Sequence, residues 1–286
     1  MEVSDASVQV VADLLHAHTG QEITATRRWR IPAALTGVFR DLGIANLDQL
    51  ACLLSTGADP ALPGRVVEAL LNNETYFFRD RNYFDSLAQC VLPELAMRRM
   101  DTRRLRIWSA GCSTGQEPLS LAMLFTAQRE RWHGWTIDIV ATDISSRALK
   151  TARSASYSQF EIQRGISVAE MLSYFKEARN RWKANDALRR MIRFEQRNLL
   201  DDPPAGGPFD IVLCRNVLLY FEQATRRAAF ARLHGSLARD GWLMLGGGET
   251  VMNQHGLFTP AAFGSGLYQP CARSSGQLTA GIEVAA

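Results

Sequence analysis

Lysine is almost missing from this chain of 286 residues: Lys150, Lys176 and Lys183 are the three, and arginine supplies the rest of the positive charge. The formal net charge of +3 is too mild to require a nucleic acid partner, so any basic surface has to be local. Cysteine is sparse and scattered. Cys52, Cys90, Cys112, Cys214 and Cys271 form no C-x-x-C pair, which argues against a disulfide framework or a zinc site and fits a reducing cytoplasm. No run of eighteen apolar residues occurs, and MEVSDASVQV has no basic region followed by an apolar stretch, so no membrane insertion is expected. Also lacking are a G-x-G-x-x-G fingerprint, a lysine after a glycine loop, and any Ser/His/Asp or metal-ligand constellation. Without a long apolar surface pattern outside the core, a monomer is expected.

What is present reads as two bodies. Up to about Leu71 the pattern is helical, with Val8, Val11, Leu14 and Leu15 on one face and Leu35, Val38, Phe39 and Leu42 on another. Residues 1–72 are expected to form a small helical domain, and 73–100 a linker with a helix over Arg81 to Arg99. From Leu105, short apolar runs alternate with helical periods: LRIWSAG, Leu119 to Arg131, WTIDIVATD and Ser145 to Arg153. FDIVLCRN, a helix from Ala224 to Leu237, WLMLGGG and a last strand near Gly266 to Pro270 continue the rhythm. This alternation predicts an α/β domain over 101–273 with a parallel Rossmann-like sheet. Residues 157–197 interrupt it and are expected to be an inserted small antiparallel β-subdomain, while 274–286 read as a loose tail.

Ser109 to Gly115, S-A-G-C-S-T-G, sits between a predicted strand and a predicted helix, where small residues let a backbone approach a ligand or simply make a tight turn. Asp143 ends the next strand, where a carboxylate can accept from ribose hydroxyls or cap the helix from Ser145. Glu117 either pairs with the helix dipole or contacts a ligand. Acidic groups around the loop favour a ligand carrying positive charge over a phosphate.

Five blocks in order, NETYFFR (Asn73 to Arg79), CSTGQEPLSLAM, ATDISSRALKTAR, RNLL and FDIVLCRNVLLYF, resemble the CheR family of chemotaxis receptor glutamate methyltransferases. The resemblance implies a Rossmann-like S-adenosylmethionine-dependent methyltransferase sheet with a small all-α N-terminal domain. It also implies methyl transfer from S-adenosylmethionine to glutamates on the cytoplasmic helices of chemoreceptors, leaving S-adenosylhomocysteine. By matching position, Asn73, Thr75 and Arg79 would contact the cofactor from the linker, with the turn at Gly111 as floor. Glu117 and Asp143 would hold its methionine or ribose portion, Asn198 and Leu199 would flank the adenine, and Arg215 and Asn216 would close the pocket. Tyr220 would lie near the transferring methyl group. The family also has an arginine near the reacting groups upstream of the first strand, for which Arg98 and Arg99 are candidates and Arg98 is taken.

Gln116 stands where many relatives have Glu. Arg27, Arg28, Arg30 and Arg40 are candidates to face an acidic receptor helix, although such a group can equally be a solvated helix face. The basic stretch from Lys176 to Arg197 is a second docking candidate, but KEARNRWKAND lacks the Gly-x-Gly turn of relatives that bind a receptor peptide. Competing readings are a silent S-adenosylmethionine-binding sensor or scaffold, a methyltransferase for another substrate, and a nicotinamide dehydrogenase.

Overall fold

A computed structural model describes residues 4–251, 256–263 and 266–271. The predicted tail at 274–286 lies outside them.

The N-terminal part consists of α1 (Asp5–Thr19), α2 (Arg30–Leu42), α3 (Leu47–Thr56) and α4 (Leu62–Leu70). Their apolar faces meet in one small core of Val8, Val11, Ile31, Leu35, Val38, Leu47, Leu50, Leu62 and Val66. The first three helices stop at Gly20, Gly43 and Gly57, each with φ near +70° (73°, 66° and 62°), a conformation that glycine enters without a side-chain clash.

The segment from Asn72 to Asp80 follows as irregular chain. It is nevertheless packed. Phe77 is fully buried and meets Tyr157 and Phe175 edge-on at 5.2 and 5.4 Å, while Phe78 lies edge-on to Phe84. The predicted helix over Arg81 to Arg99 divides into α5 (Arg81–Ser86), a π turn at Leu87–Val91 and α6 (Leu92–Arg98). Pro93, which has no N–H to return to the preceding turn, sits in the first turn of α6, and the wider π turn precedes it.

The large sheet begins with β1 (Arg104–Ala110), α7 (Gln116–Ala127), β2 (Thr136–Asp143) and α8 (Ser146–Ser154). An inserted unit follows: β3 (Ser156–Tyr157), α9 (Gln159–Ile162), α10 (Val168–Tyr174), β4 (Phe175–Ala178) and β5 (Arg181–Ala184), with α11 (Asp186–Arg189) after it. The chain closes with β6 (Ile192–Gln196), β7 (Phe209–Cys214), α12 (Gln223–Ser236), β8 (Leu237–Leu245), β9 (Phe258–Pro260) and β10 (Leu267–Pro270). The sheet order is β6-β2-β1-β7-β8-β10-β9, parallel from β6 through β8, with β10 and β9 antiparallel. β1 therefore pairs with β2 on one side and β7 on the other. That reversal of strand order leaves a crevice at the carboxyl ends of the strands.

The insertion holds an antiparallel sheet ordered β3-β5-β4. Its hairpin turns on Arg179 and Asn180, with φ of 52° and 60°, so two non-glycine residues adopt the left-handed pair of a tight turn. β6, expected inside the insertion, instead runs parallel to β2 at the edge of the main sheet. β9 was not anticipated.

Candidate active site

A cleft opens where β1, β2 and β7 end. Eleven of the twelve sequence candidates line it: Asn73, Thr75, Arg79, Gly111, Glu117, Asp143, Asn198, Leu199, Arg215, Asn216 and Tyr220. The linker, three strand ends and the loop after β7 thus converge on one space.

The floor is the turn from β1 into α7. Gly111 has φ of 77°, and a Cβ there would fall 2.4 Å from a methyl of Val217, so only glycine lets this turn and the loop after β7 approach. The Ser113 backbone N–H donates to Asp143 at 2.7 Å, and the Ser113 hydroxyl donates to the Asn73 carbonyl at 2.8 Å. Asp143 also accepts from the Ser145 N–H at 2.8 Å, while the Ser145 side chain caps α8 through Ala148 N–H. The side-chain cap of the helix therefore falls to Ser145, and Asp143 lines the cleft. Burial pushes its carboxyl above the ordinary range, opposed by the two N–H bonds. Each carboxylate oxygen keeps lone-pair capacity for a diol or another donor in the cleft.

A buried charge network forms the second wall. Glu117 accepts from the Ser109 hydroxyl at 2.8 Å and from Arg215 at 3.1 Å. Arg215 also reaches Asp80 at 2.8 Å and the Arg79 carbonyl at 2.5 Å. Burial pushes the Glu117 carboxyl up, while the Arg215 cation and the Ser109 hydroxyl pull it down. Arg215 is consequently a brace between the linker and the floor. Arg79 itself donates to the Glu74 carbonyl and lies over the Tyr76 ring, and both side chains line the cleft.

On the far side, Asn198 receives a hydrogen bond from Leu200 N–H and donates to the His18 carbonyl of α1, while Leu199 adds an apolar wall. Tyr220 ends a 3-10 turn, Leu218–Tyr220, and its hydroxyl accepts from Asn72 at 2.6 Å. The Arg27 guanidinium lies 4.7 Å above the Tyr220 ring, so this arginine of the N-terminal domain reaches the cleft mouth.

Arg98 is not brought to the site. It ends α6 near the entry ends of the strands, where it pairs with Glu94 at 2.6 Å and Asp240 at 3.6 Å. Its neighbour Arg99 holds Asp210 at 2.7 Å and Asp240 at 2.6 Å at the same end. Neither arginine lines the cleft.

Sequence reasoning missed Glu68 on α4. Its carboxylate accepts from the Ser145 hydroxyl and from the N–H and hydroxyl of Ser146, so a helix of the N-terminal domain closes onto the loop that carries Asp143. Thr19 and Gln21 were also missed, and they line the cleft from the end of α1. No local signal marked any of the three, because each reaches the site only through packing of the first domain. Among the described residues, no group of three or more His, Cys, Asp or Glu side chains is placed to hold a metal ion, and no helix is long and apolar enough to cross a membrane.

The chemistry fits a cofactor that is polar, partly cationic and bears a diol: a carboxylate at a strand end, a glycine floor without room for a side chain, and no lysine in the cleft lining. The family described as CheR methyltransferase, SAM binding domain, matches residues 73–264. The chain is 35% identical to Chemotaxis protein methyltransferase 1 of Pseudomonas aeruginosa over 88% of its own length and 93% of that protein's. It is 34% identical to Chemotaxis protein methyltransferase Cher2 of Pseudomonas putida, over 79% of this chain and 83% of that one. The corresponding protein of Vibrio parahaemolyticus is 32% identical over 87% and 90%. The matched region carries the whole floor of the cleft together with the linker, and with S-adenosylmethionine as its cofactor the chain belongs to the CheR methyltransferase family.

Proposed function

We propose that this protein esterifies glutamate side chains on the cytoplasmic helices of chemoreceptors. The observation that carries the reading is the end of the cleft at Tyr220, where the hydroxyl accepts from the Asn72 amide and where, among the described residues, no histidine lines the cleft to serve as a general base. A glutamate side chain needs none: with an ordinary pKa of about 4.3 it is ionised at neutral pH. The cofactor, when bound, supplies an electrophilic methyl group on a sulfonium. With it in place, the acceptor oxygen would form the new C–O bond as the S–CH3 bond breaks, which would give a methyl ester and S-adenosylhomocysteine.

Anion and cation become two neutral molecules, so charge decreases towards the transition state. A strong cation clamped on the acceptor would stabilise the ground state more than the transition state. That Arg215 is committed to Glu117, Asp80 and the Arg79 carbonyl is consistent with this requirement. In this reading Asp143 and Glu117 hold the ribose and methionine portions, and Asn198 and Leu199 flank the adenine. Asn73, Thr75, Arg79 and Asn216 complete the wall, and Tyr220 orients the acceptor, so catalysis comes chiefly from positioning.

The acceptor's route is suggested by a second cavity, lined by Glu22, Arg27, Arg30, Ile23 and Ala34 and sharing Gln21, Leu71, Asn72 and Tyr220 with the cleft. Trp29 is exposed beside it. With two arginines against one glutamate and an apolar wall, this mouth suits an acidic amphipathic helix. Arg28 and Arg40 instead have acidic neighbours, Asp5 at 3.6 Å and Asp41 at 3.9 Å.

The test is transfer of radiolabelled methyl to membranes that contain the organism's receptors, followed by alkaline treatment. Volatile methanol released by base supports the ester. Base-stable label, or cofactor binding without transfer, would remove the assignment.

A further inference from the structure

The segment Gly246 to Glu249, immediately after β8, contains no sequence candidate, yet it grips the loop after β7 from behind. Glu249 N–H donates to the Gly246 carbonyl at 2.9 Å, closing a turn that folds the Glu249 side chain back towards the strand ends. One carboxylate oxygen then accepts from Val217 N–H at 2.9 Å, Leu218 N–H at 2.8 Å and Leu219 N–H at 3.3 Å. The other accepts from Asn216 N–H at 2.6 Å and Gly246 N–H at 3.0 Å. Consecutive amides converging in this way make an anion-binding nest. Here the protein fills the nest with its own carboxylate.

The loop so held carries Asn216, with φ of 60°, and Val217 against the floor glycine, and it ends at Tyr220. Gly246 adds a steric condition. A Cβ there would lie 2.8 Å from the Asn216 side-chain nitrogen and 3.0 Å from its backbone nitrogen, so Asn216 would have to move. Gly248, two residues on, has open space around it.

We propose that Glu249, with Gly246, is a positioning residue that sets the cofactor wall at Asn216 and Val217 and the placement of Tyr220. Glu249 is not among the residues that line the cleft. It acts by replacing five backbone–water contacts with charge-assisted hydrogen bonds to one anchor, which fixes the loop before ligands arrive. A glutamine cannot do the same, because its NH2 group would meet amide N–H donors on one side.

The experiment measures S-adenosylhomocysteine affinity by calorimetry, melting temperature, and turnover at saturating S-adenosylmethionine, all on the full chain. Glu249→Gln and Gly246→Ala are each expected to weaken product binding by about tenfold or more and to lower turnover of the folded protein, since wall and tyrosine share the loop. Gly248→Ala is expected to stay within about twofold of the parent on every readout. A folded Glu249→Gln that binds within about twofold of the parent overturns the proposal. So does a fall in melting temperature alone, with affinity and saturating turnover kept. If Glu249→Gln does not fold, Gly246→Ala decides, because it keeps the carboxylate and displaces only Asn216. The turnover arm rests on the methyl-transfer reading, whereas product affinity needs no acceptor and stands if the glutamate assignment fails.

Discussion

Replacing Arg215 by methionine tests whether the buried charge network is the brace that joins linker to floor. The Arg215 side chain is 2% exposed, Glu117 is 11% and Asp80 33%, so the change leaves one carboxylate buried without its cation and a second partly so. Removing one partner of such a pair costs about 3–5 kcal/mol. At roughly 2–4 °C per kcal/mol for a chain approaching this size, the melting temperature should fall by roughly 6–20 °C.

The pH dependence has a definite sign. Burial already holds the Glu117 carboxyl above its ordinary value against the opposing pull of Arg215. Without that pull it rises further, and the folded variant binds a proton that the unfolded chain releases near its unperturbed pKa of about 4.3. Where the folded state binds more protons, stability falls with rising pH between the unfolded and folded pKa values. The deficit relative to the parent should therefore be largest at mildly alkaline pH and shrink as pH falls through the raised Glu117 value. Thermal denaturation over a pH series measures this, and the double variant Arg215→Met with Glu117→Gln should recover part of the loss. A single variant within about 1 kcal/mol of the parent, or a deficit independent of pH and unrelieved by the second change, would refute the reasoning.

Asp143→Asn replaces one accepting oxygen with an NH2 group that faces a loop N–H, and should weaken S-adenosylmethionine binding by about 10- to 100-fold in calorimetry. Tyr220→Phe keeps the ring beneath Arg27 but loses the hydroxyl bonded to Asn72, so turnover should fall while cofactor affinity changes little; unchanged turnover removes Tyr220 from the mechanism. Arg98→Ala should leave cofactor affinity and turnover unchanged and cost no more than about 1 kcal/mol, because its ion pairs are partly exposed and remote from the cleft.

Much of the site was legible because parallel α/β sheets place ligand groups at strand ends, and strand ends are visible as the close of an apolar run. Asp143 after IDIVAT and Arg215 after FDIVLC are of that kind. Arg98 failed for the converse reason. It lies close to β1 in sequence, but α6 descends to the entry ends of the strands, so nearness along the chain is the full height of the sheet away from the cleft. β6 was hidden inside the insertion because IRFEQ, an edge strand with partly exposed residues throughout, lacks the continuous apolar run of a buried strand. β9 has three residues and ends in proline, which gives no periodicity to read. Glu68 and Glu249 were illegible in a stronger sense, since each is an acidic residue in an unremarkable context until tertiary packing aims it at amides from a distant segment.

The linker motif gains a definite physical character from these contacts. A lid would be a segment with few buried contacts and solvent-exposed hydrogen bonds. The chain from Asn73 to Asp80 has the opposite properties. Its Asn73 carbonyl takes the Ser113 hydroxyl, its Phe78 N–H donates to the Ser120 hydroxyl at 2.9 Å, and Asp80 and the Arg79 carbonyl are held by Arg215. Phe77 is inserted between Tyr157 and Phe175, so lifting the linker would expose a full aromatic side chain, about 1.5–3 kcal/mol in transfer alone, and leave Glu117 and Arg215 without their link to the linker. Asn73, Thr75 and Arg79 therefore belong to a fixed wall of the cleft. The specificity of that wall is fixed by the fold before a ligand enters, which is the condition for catalysis by positioning.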